Sequence, residues 1–142
     1  METEPQIPKE YIAAGKVKLI YRHLLQLGDG SVATAEASEC AADQGQFWPM
    51  HDALYARQRE VYGASDLGAT LTGFAKDLGL DTGTFNSCMQ QHTHLQFVQD
   101  DYTASKRDGV QFRPVFDING TRLTGAQGFN VFQQQIEAAL PK

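Results

Sequence analysis

The chain has 142 residues, 42% apolar and 20% charged, with 12 basic against 17 acidic side chains and a net charge of -5. That length holds one hydrophobic core. The acidic balance argues against a nucleic-acid partner, which needs clustered Lys and Arg, and no apolar run approaches the roughly 20 residues that span a bilayer.

The opening METEPQIPKE has neither a basic n-region nor an apolar h-region. It therefore predicts a cytosolic protein, or else a mature or shortened chain. EPQIPKEYIAAG predicts a helix that stops at Gly15. KVKLIYRHL reads as a strand, with Val17, Leu19 and Tyr21 on one face and Lys18 and Arg22 on the other. Ile20 breaks the alternation, as in a strand covered on both sides. After GDGS a helix is expected from Ser31 as N-cap through Gln44, with a small-residue stripe of Ala33, Ala37, Cys40 and Ala41. QFWPMHDALYARQREVYG restarts the helix near Pro49, which a first turn tolerates. Phe47, Trp48 and Tyr55 read as core there.

SDLGATLTGFAKDLGLD places Leu67, Leu71, Phe74, Ala75 and Leu78 on one helical face. DTGTFNSCMQ puts Phe85, Cys88 and Met89 on a stripe, and THLQFVQDDYTASKRDG adds Leu95, Val98 and Tyr102 before another glycine. SKRDG has the only adjacent basic residues and reads as a solvated helix end. The closing unit is a strand (Val115 to Ile118), an Asn119-Gly120 turn, a strand (Thr121 to Thr124) and a helix bearing Phe129, Phe132, Ile136 and Leu140. Asn-Gly suits a type I′ turn, whose central residues need positive φ. No repeat or linker divides the chain, so residues 1–142 read as a single α/β domain with helices inserted over about 31–109.

Few residues invite chemistry. Cys40 and Cys88 are the only cysteines, and three readings stay open for them: buried thiols, a structural disulfide or a nucleophile. Their apolar stripes raise a thiol pKa and count against the last. His51 and Asp52 are neighbours on a helix and point apart, so they are not read as a dyad. His92 and His94 are two positions apart where helical ligands need three or four, so no metal site is expected. Asp100 and Asp101 diverge on a helix and are expected to face water. GDGS and GAQG lack the spacing and the lysine of a phosphate loop, and no cofactor is expected.

Four stretches in order carry a resemblance: ASECAADQGQFWPMHDALYARQ (Ala37 to Gln58), LGLDTGTFNSCM, GVQFRPVFDING and FNVFQQQIEAAL. Together they resemble the DsbA family of thioredoxin-fold thiol-disulfide oxidoreductases, over nearly the whole chain from about Glu4 to Leu140. The resemblance implies a thioredoxin-like α/β fold with a DsbA-type helical insertion. In that family a central strand precedes a Cys-x-x-Cys at a helix N-terminus, which lowers the thiol pKa. Neither has a counterpart here, so the chain is expected to lack the first core strand and to be catalytically silent. Buried unpaired strand groups cost about 1–3 kcal/mol each. A homodimer or exchanged strand is therefore expected beside Val17 to Tyr21 and Val115 to Ile118.

The resemblance also implies that Cys40 and Cys88 form a disulfide. It implies that Arg113-Pro114 is the family's cis-proline loop, although a random X-Pro bond is cis in only about 5–6% of cases. There the residue before proline offers its backbone to a polypeptide substrate. Arg113 stands where the family has a small or β-branched residue, and its long cation would crowd that groove. Some DsbA-like enzymes without Cys-x-x-Cys bind glutathione and isomerise small molecules, and a non-enzymatic peptide-binding or assembly module is a further alternative. The family is typically extracytoplasmic, though nothing in these residues is an address.

Overall fold

The computed structural model describes residues 7–141. The first residues of the helix expected from Glu4 lie outside them. By its contacts the chain divides into two compact units, residues 22–105 and residues 1–21 with 106–142.

The 22–105 unit is helical. It holds α1 (Asp29–Ala42), α2 (Phe47–Ala56), α3 (Gln58–Gly63), α4 (Leu67–Asp77), α5 (Thr82–Gln90) and most of α6 (Leu95–Arg107). The small-residue stripe of α1 explains its central place. Ala37, Cys40 and Ala41 are buried, and their short side chains let α2, α4 and α5 approach closely. Met50, Val61, Leu71, Phe74, Ala75, Leu80 and Phe85 complete the core. The first turns of α4 and α5 are capped by Asp66 and Asp81, whose carboxylates accept from Ala69 N at 2.9 Å and Thr84 N at 2.6 Å. Pro49 occupies the first turn of α2, where its missing N–H costs no helical bond.

Several expectations are corrected in this unit. α1 begins at Asp29 with Gly28 as N-cap, and Ser31 lies inside the first turn, its hydroxyl accepting from Leu27 N. Trp48 and Tyr55 are not core: they are 40% and 45% exposed, because Met50 and His51 are the residues of α2 that turn inward. Asp101 does not face water. It is buried, accepts from the backbone N–H of His23 at 2.8 Å and pairs with Arg22.

The other unit is built on a hairpin, β1 (Val115–Ile118) and β2 (Thr121–Thr124), in antiparallel register Val115↔Thr124 to Ile118↔Thr121. Asn119 and Gly120 both have positive φ, as a type I′ turn requires. α7 (Phe129–Ala139) packs on β1, with the Phe132 ring edge-on to Phe116 at 4.7 Å. Phe132 and Ile136 share a small core with Ile7 and Tyr11. The helix expected to stop at Gly15 is reduced here to a single π-turn (Pro8–Ile12), and Gly15 closes it with positive φ.

The strand expected at Val17 to Tyr21 is not formed. Among the described residues the sheet has two strands, and this segment joins neither. A strand exists only through a neighbour's N–H and C=O groups, and an alternating pattern does not supply one. The alternation itself persists: Val17, Leu19 and Tyr21 are half-buried while Lys18, Ile20 and Arg22 are exposed. Ile20, at 65% exposure, marks a segment covered on one side and not on both.

Candidate functional site: the proline loop and the paired cysteines

Pro114 sits immediately before β1, half-buried, and its peptide bond with Arg113 is cis. Its carbonyl accepts from Gly125 N at 2.9 Å, which extends the hairpin ladder by one step. On the other side of the loop, Arg122 of β2 spans to its register partner Asp117 with two hydrogen bonds of 2.9 and 3.0 Å. It also donates to the carbonyl of Asp108 at 2.7 Å. The guanidinium bonds hold the Asp117 carboxyl below the ordinary aspartate range. The loop 109–113 is thus tied at both ends to one hairpin. Phe112 and Arg113, next to Pro114, are exposed, so the loop presents backbone, an aromatic ring and a cation. It presents no nucleophile.

The 22–105 unit contains the two sulfurs. Cys40 near the end of α1 and Cys88 near the end of α5 form a disulfide with a Cα–Cα distance of 5.9 Å. Gln44 aligns the two helices by bonding both backbone groups of Asp81, receiving from its N–H at 2.8 Å and donating to its carbonyl at 3.2 Å. Cys40 is fully buried and Cys88 partly so.

The histidines then fall into a pattern that sequence spacing conceals. α1 carries Glu36 and Glu39, and Asp43 caps its end, so these acids sit three and four residues apart on one face. Each takes one histidine: Glu36 with His92 at 3.1 Å, Glu39 with His23 at 2.7 Å and Asp43 with His94 at 2.7 Å. His92 has φ 50, with His92 N donating to Met89 O and Thr93 N to Cys88 O, both 3.2 Å. These are the two bonds of a Schellman cap, with histidine in the left-handed position usually held by glycine. The cap turns the chain back so that His94 meets Cys40 and Cys88. One ring nitrogen and the two sulfurs lie within 4.8 Å of one another. Spacing along the chain compares His92 only with His94. The fold separates them and gives His94 two cysteines instead.

His51 is buried among Phe47, Trp48 and Tyr55, with ring centroids 4.7 to 6.2 Å away. Its Nδ1 lies 3.0 Å from Asp52 Oδ1, so the neighbours expected to point apart do meet. Asp52 is exposed and lies on the outer side of α2.

A family model described as Thioredoxin matches residues 1–138. The chain belongs to the thioredoxin family. Its structure is similar to that of oxidised BdbD from Bacillus subtilis, with a TM-score of 0.81, 22% identity, and 95% of this chain and 75% of that one covered. A thioredoxin-like oxidoreductase from Silicibacter pomeroyi DSS-3 superposes with a TM-score of 0.72 at 21% identity, over 98% and 76% of the two chains. Among curated relatives, Na(+)/H(+) antiporter NhaA of Herminiimonas arsenicoxydans is 31% identical over 123 residues, which cover 87% of this chain and 19% of that protein. Disulfide bond formation protein D of Bacillus subtilis (strain 168) is 24% identical over 139 residues, 96% of this chain and 63% of that one. The chain spans about a fifth of the length of the antiporter relatives. Among its described residues no helix is long and apolar enough to cross a membrane.

Proposed function

We propose that this chain is a DsbA-like member of the thioredoxin family that receives extended polypeptide at the Arg113-Pro114 loop. As these 142 residues stand, it does not cycle a dithiol. The observation that carries the reading is the proline loop tied into the β1–β2 hairpin, with α7 packed behind it, in a fold that superposes on oxidised BdbD. The silent reading is supported by Cys40 and Cys88, which lie 48 positions apart and are bonded to each other. The Cys40–Cys88 bridge supports an oxidising, extracytoplasmic setting.

The test is insulin reduction by dithiothreitol with and without the chain, paired with fluorescence anisotropy of a labelled unfolded polypeptide. The expected result is no acceleration of reduction, and weak polypeptide binding that strengthens in Arg113→Thr. Turnover would overturn the silence, and binding indifferent to Arg113→Thr and Pro114→Ala would overturn the loop as the docking place. Retention on glutathione resin would instead favour a glutathione-binding isomerase.

A second reading, assembly, is favoured by Val17 to Tyr21. This segment keeps a strand-like alternation of burial, exposes Ile20 and lies outside the β1–β2 sheet of the described residues. A second copy or an exchanged segment would complete its ladder, making a homodimer. Light scattering that returns a monomer would exclude it.

A further inference from the structure

We propose that Cys40, Cys88 and His94 form a redox-gated zinc site, a disulfide staple when oxidised and a thiolate–imidazole metal centre when reduced. Two thiolates and an imidazole are a donor set that suits zinc in tetrahedral geometry. Zinc bonds of about 2.3 Å to sulfur and 2.0 Å to nitrogen place tetrahedral ligand atoms about 3.5–3.8 Å apart. The three donors here already lie within 4.8 Å of one another. The main movement required is separation of the two sulfurs once their bond is broken.

Asp43 supplies what such a site needs around it. Its Oδ2 lies 2.7 Å from His94 Nε2 and 3.9 Å from Cys88 Sγ. A carboxylate bonded to the imidazole fixes the orientation of the ring beside the two sulfurs. A water completes the tetrahedron. Three separate elements deliver these groups: Cys40 from α1, Cys88 from α5 and His94 from the turn before α6. The Thr93-to-Cys88 cap bond and the Gln44–Asp81 clasp hold the donors in place whichever state the sulfurs are in.

The reductant is a dithiol. Its thiolate attacks Cys88 Sγ, the less buried sulfur, forming a mixed disulfide and releasing Cys40 as thiolate. The second thiol of the reductant then closes on the first, leaving as a cyclic disulfide and freeing Cys88. Two electrons pass from the dithiol to the protein sulfurs. Zinc then takes both sulfurs as thiolates, and any proton they carry is lost to water.

The experiment reduces the full chain with dithiothreitol, desalts it under anaerobic conditions and titrates it with Co2+ as a spectroscopic stand-in for zinc. The expected result is one equivalent bound, with thiolate-to-cobalt charge-transfer bands and the visible bands of a four-coordinate site, all abolished by added Zn2+. The oxidised chain gives none of these bands. Asp43→Asn weakens binding by about 10- to 100-fold, His94→Gln weakens it further, and Asp52→Asn, at an exposed position on α2, leaves it unchanged. Zn2+ also raises the Tm of the reduced chain and not that of the oxidised one. Metal binding draws a partly unfolded chain into the folded state, so loss of structure on reduction would not hide the site. Missing thiolate bands in the reduced chain, equal affinity in His94→Gln and the unsubstituted chain, or a reduced-state Tm unmoved by Zn2+ would each overturn the proposal.

Discussion

The backbone N–H of Thr93 donates to the carbonyl of Cys88 at 3.2 Å, and this bond folds the chain back at the end of α5. Through it the disulfide, His94 and the end of α1 become neighbours. The stability of the helical unit and the chemistry proposed for it rest on the same few contacts.

Reduction of Cys40–Cys88 releases a constraint between residues 48 apart. The chain-entropy model sets the loss at about 4 kcal/mol. In a chelating buffer, dithiothreitol should lower the guanidinium midpoint by a corresponding amount. The Cys40→Ser/Cys88→Ser double variant should start at the lower midpoint and ignore reductant.

Phe74 lies at the centre of the helical core, 1% exposed, with the Arg57 guanidinium 3.8 Å from its ring centroid. Phe74→Ala should cost about 3–5 kcal/mol in equilibrium unfolding. Phe74→Leu should cost less, because it refills much of the cavity and loses chiefly the cation–ring contact.

Asp101 is the buried acceptor for His23 N–H. Asp101→Ala should destabilise by about 1–3 kcal/mol, since it leaves that N–H without its carboxylate. Hydrogen exchange at the His23 amide should accelerate in the variant. An unchanged rate would show that this contact does not hold the segment before α1.

The Asp81 carboxyl is held below its ordinary value of 3.8, first by the backbone N–H of Thr84 and then by the Thr84 hydroxyl. A lowered folded-state value means that the unfolded chain binds more protons as pH falls. The contribution of Asp81 is therefore present above the ordinary aspartate value and is lost as pH drops through the folded one. Asp81→Asn should flatten the acid limb of a Tm-against-pH curve without moving its neutral plateau by a comparable amount. An acid limb as steep as that of the unsubstituted chain would refute the assignment.

The hairpin was legible because its instructions are local. Two short β-branched and apolar runs flank Asn119-Gly120, and the register follows from a two-residue turn. The apolar faces of α4 and α7 were legible for the same reason, since one helix's periodicity names its own buried side. The stop at Gly15 could be read from the residue type, but the equivalent stop at His92 could not. Histidine tolerates the left-handed conformation without announcing it, and its pairing with Glu36 comes from a distant helix.

The alternation at Val17 to Tyr21 is present as a burial pattern, but no strand forms there. Hydrophobicity alone points Trp48 and Tyr55 inward, whereas Met50 and His51 take that side of α2. By itself the sequence determined the helical periodicities, the turn and the family resemblance, because each is written in neighbouring residues. Tertiary structure alone decided which acid meets which histidine, whether Asp101 is buried and what lies beside the two sulfurs. Those outcomes depend on atoms brought together across tens of residues, and separation along the chain carries no record of distance in space.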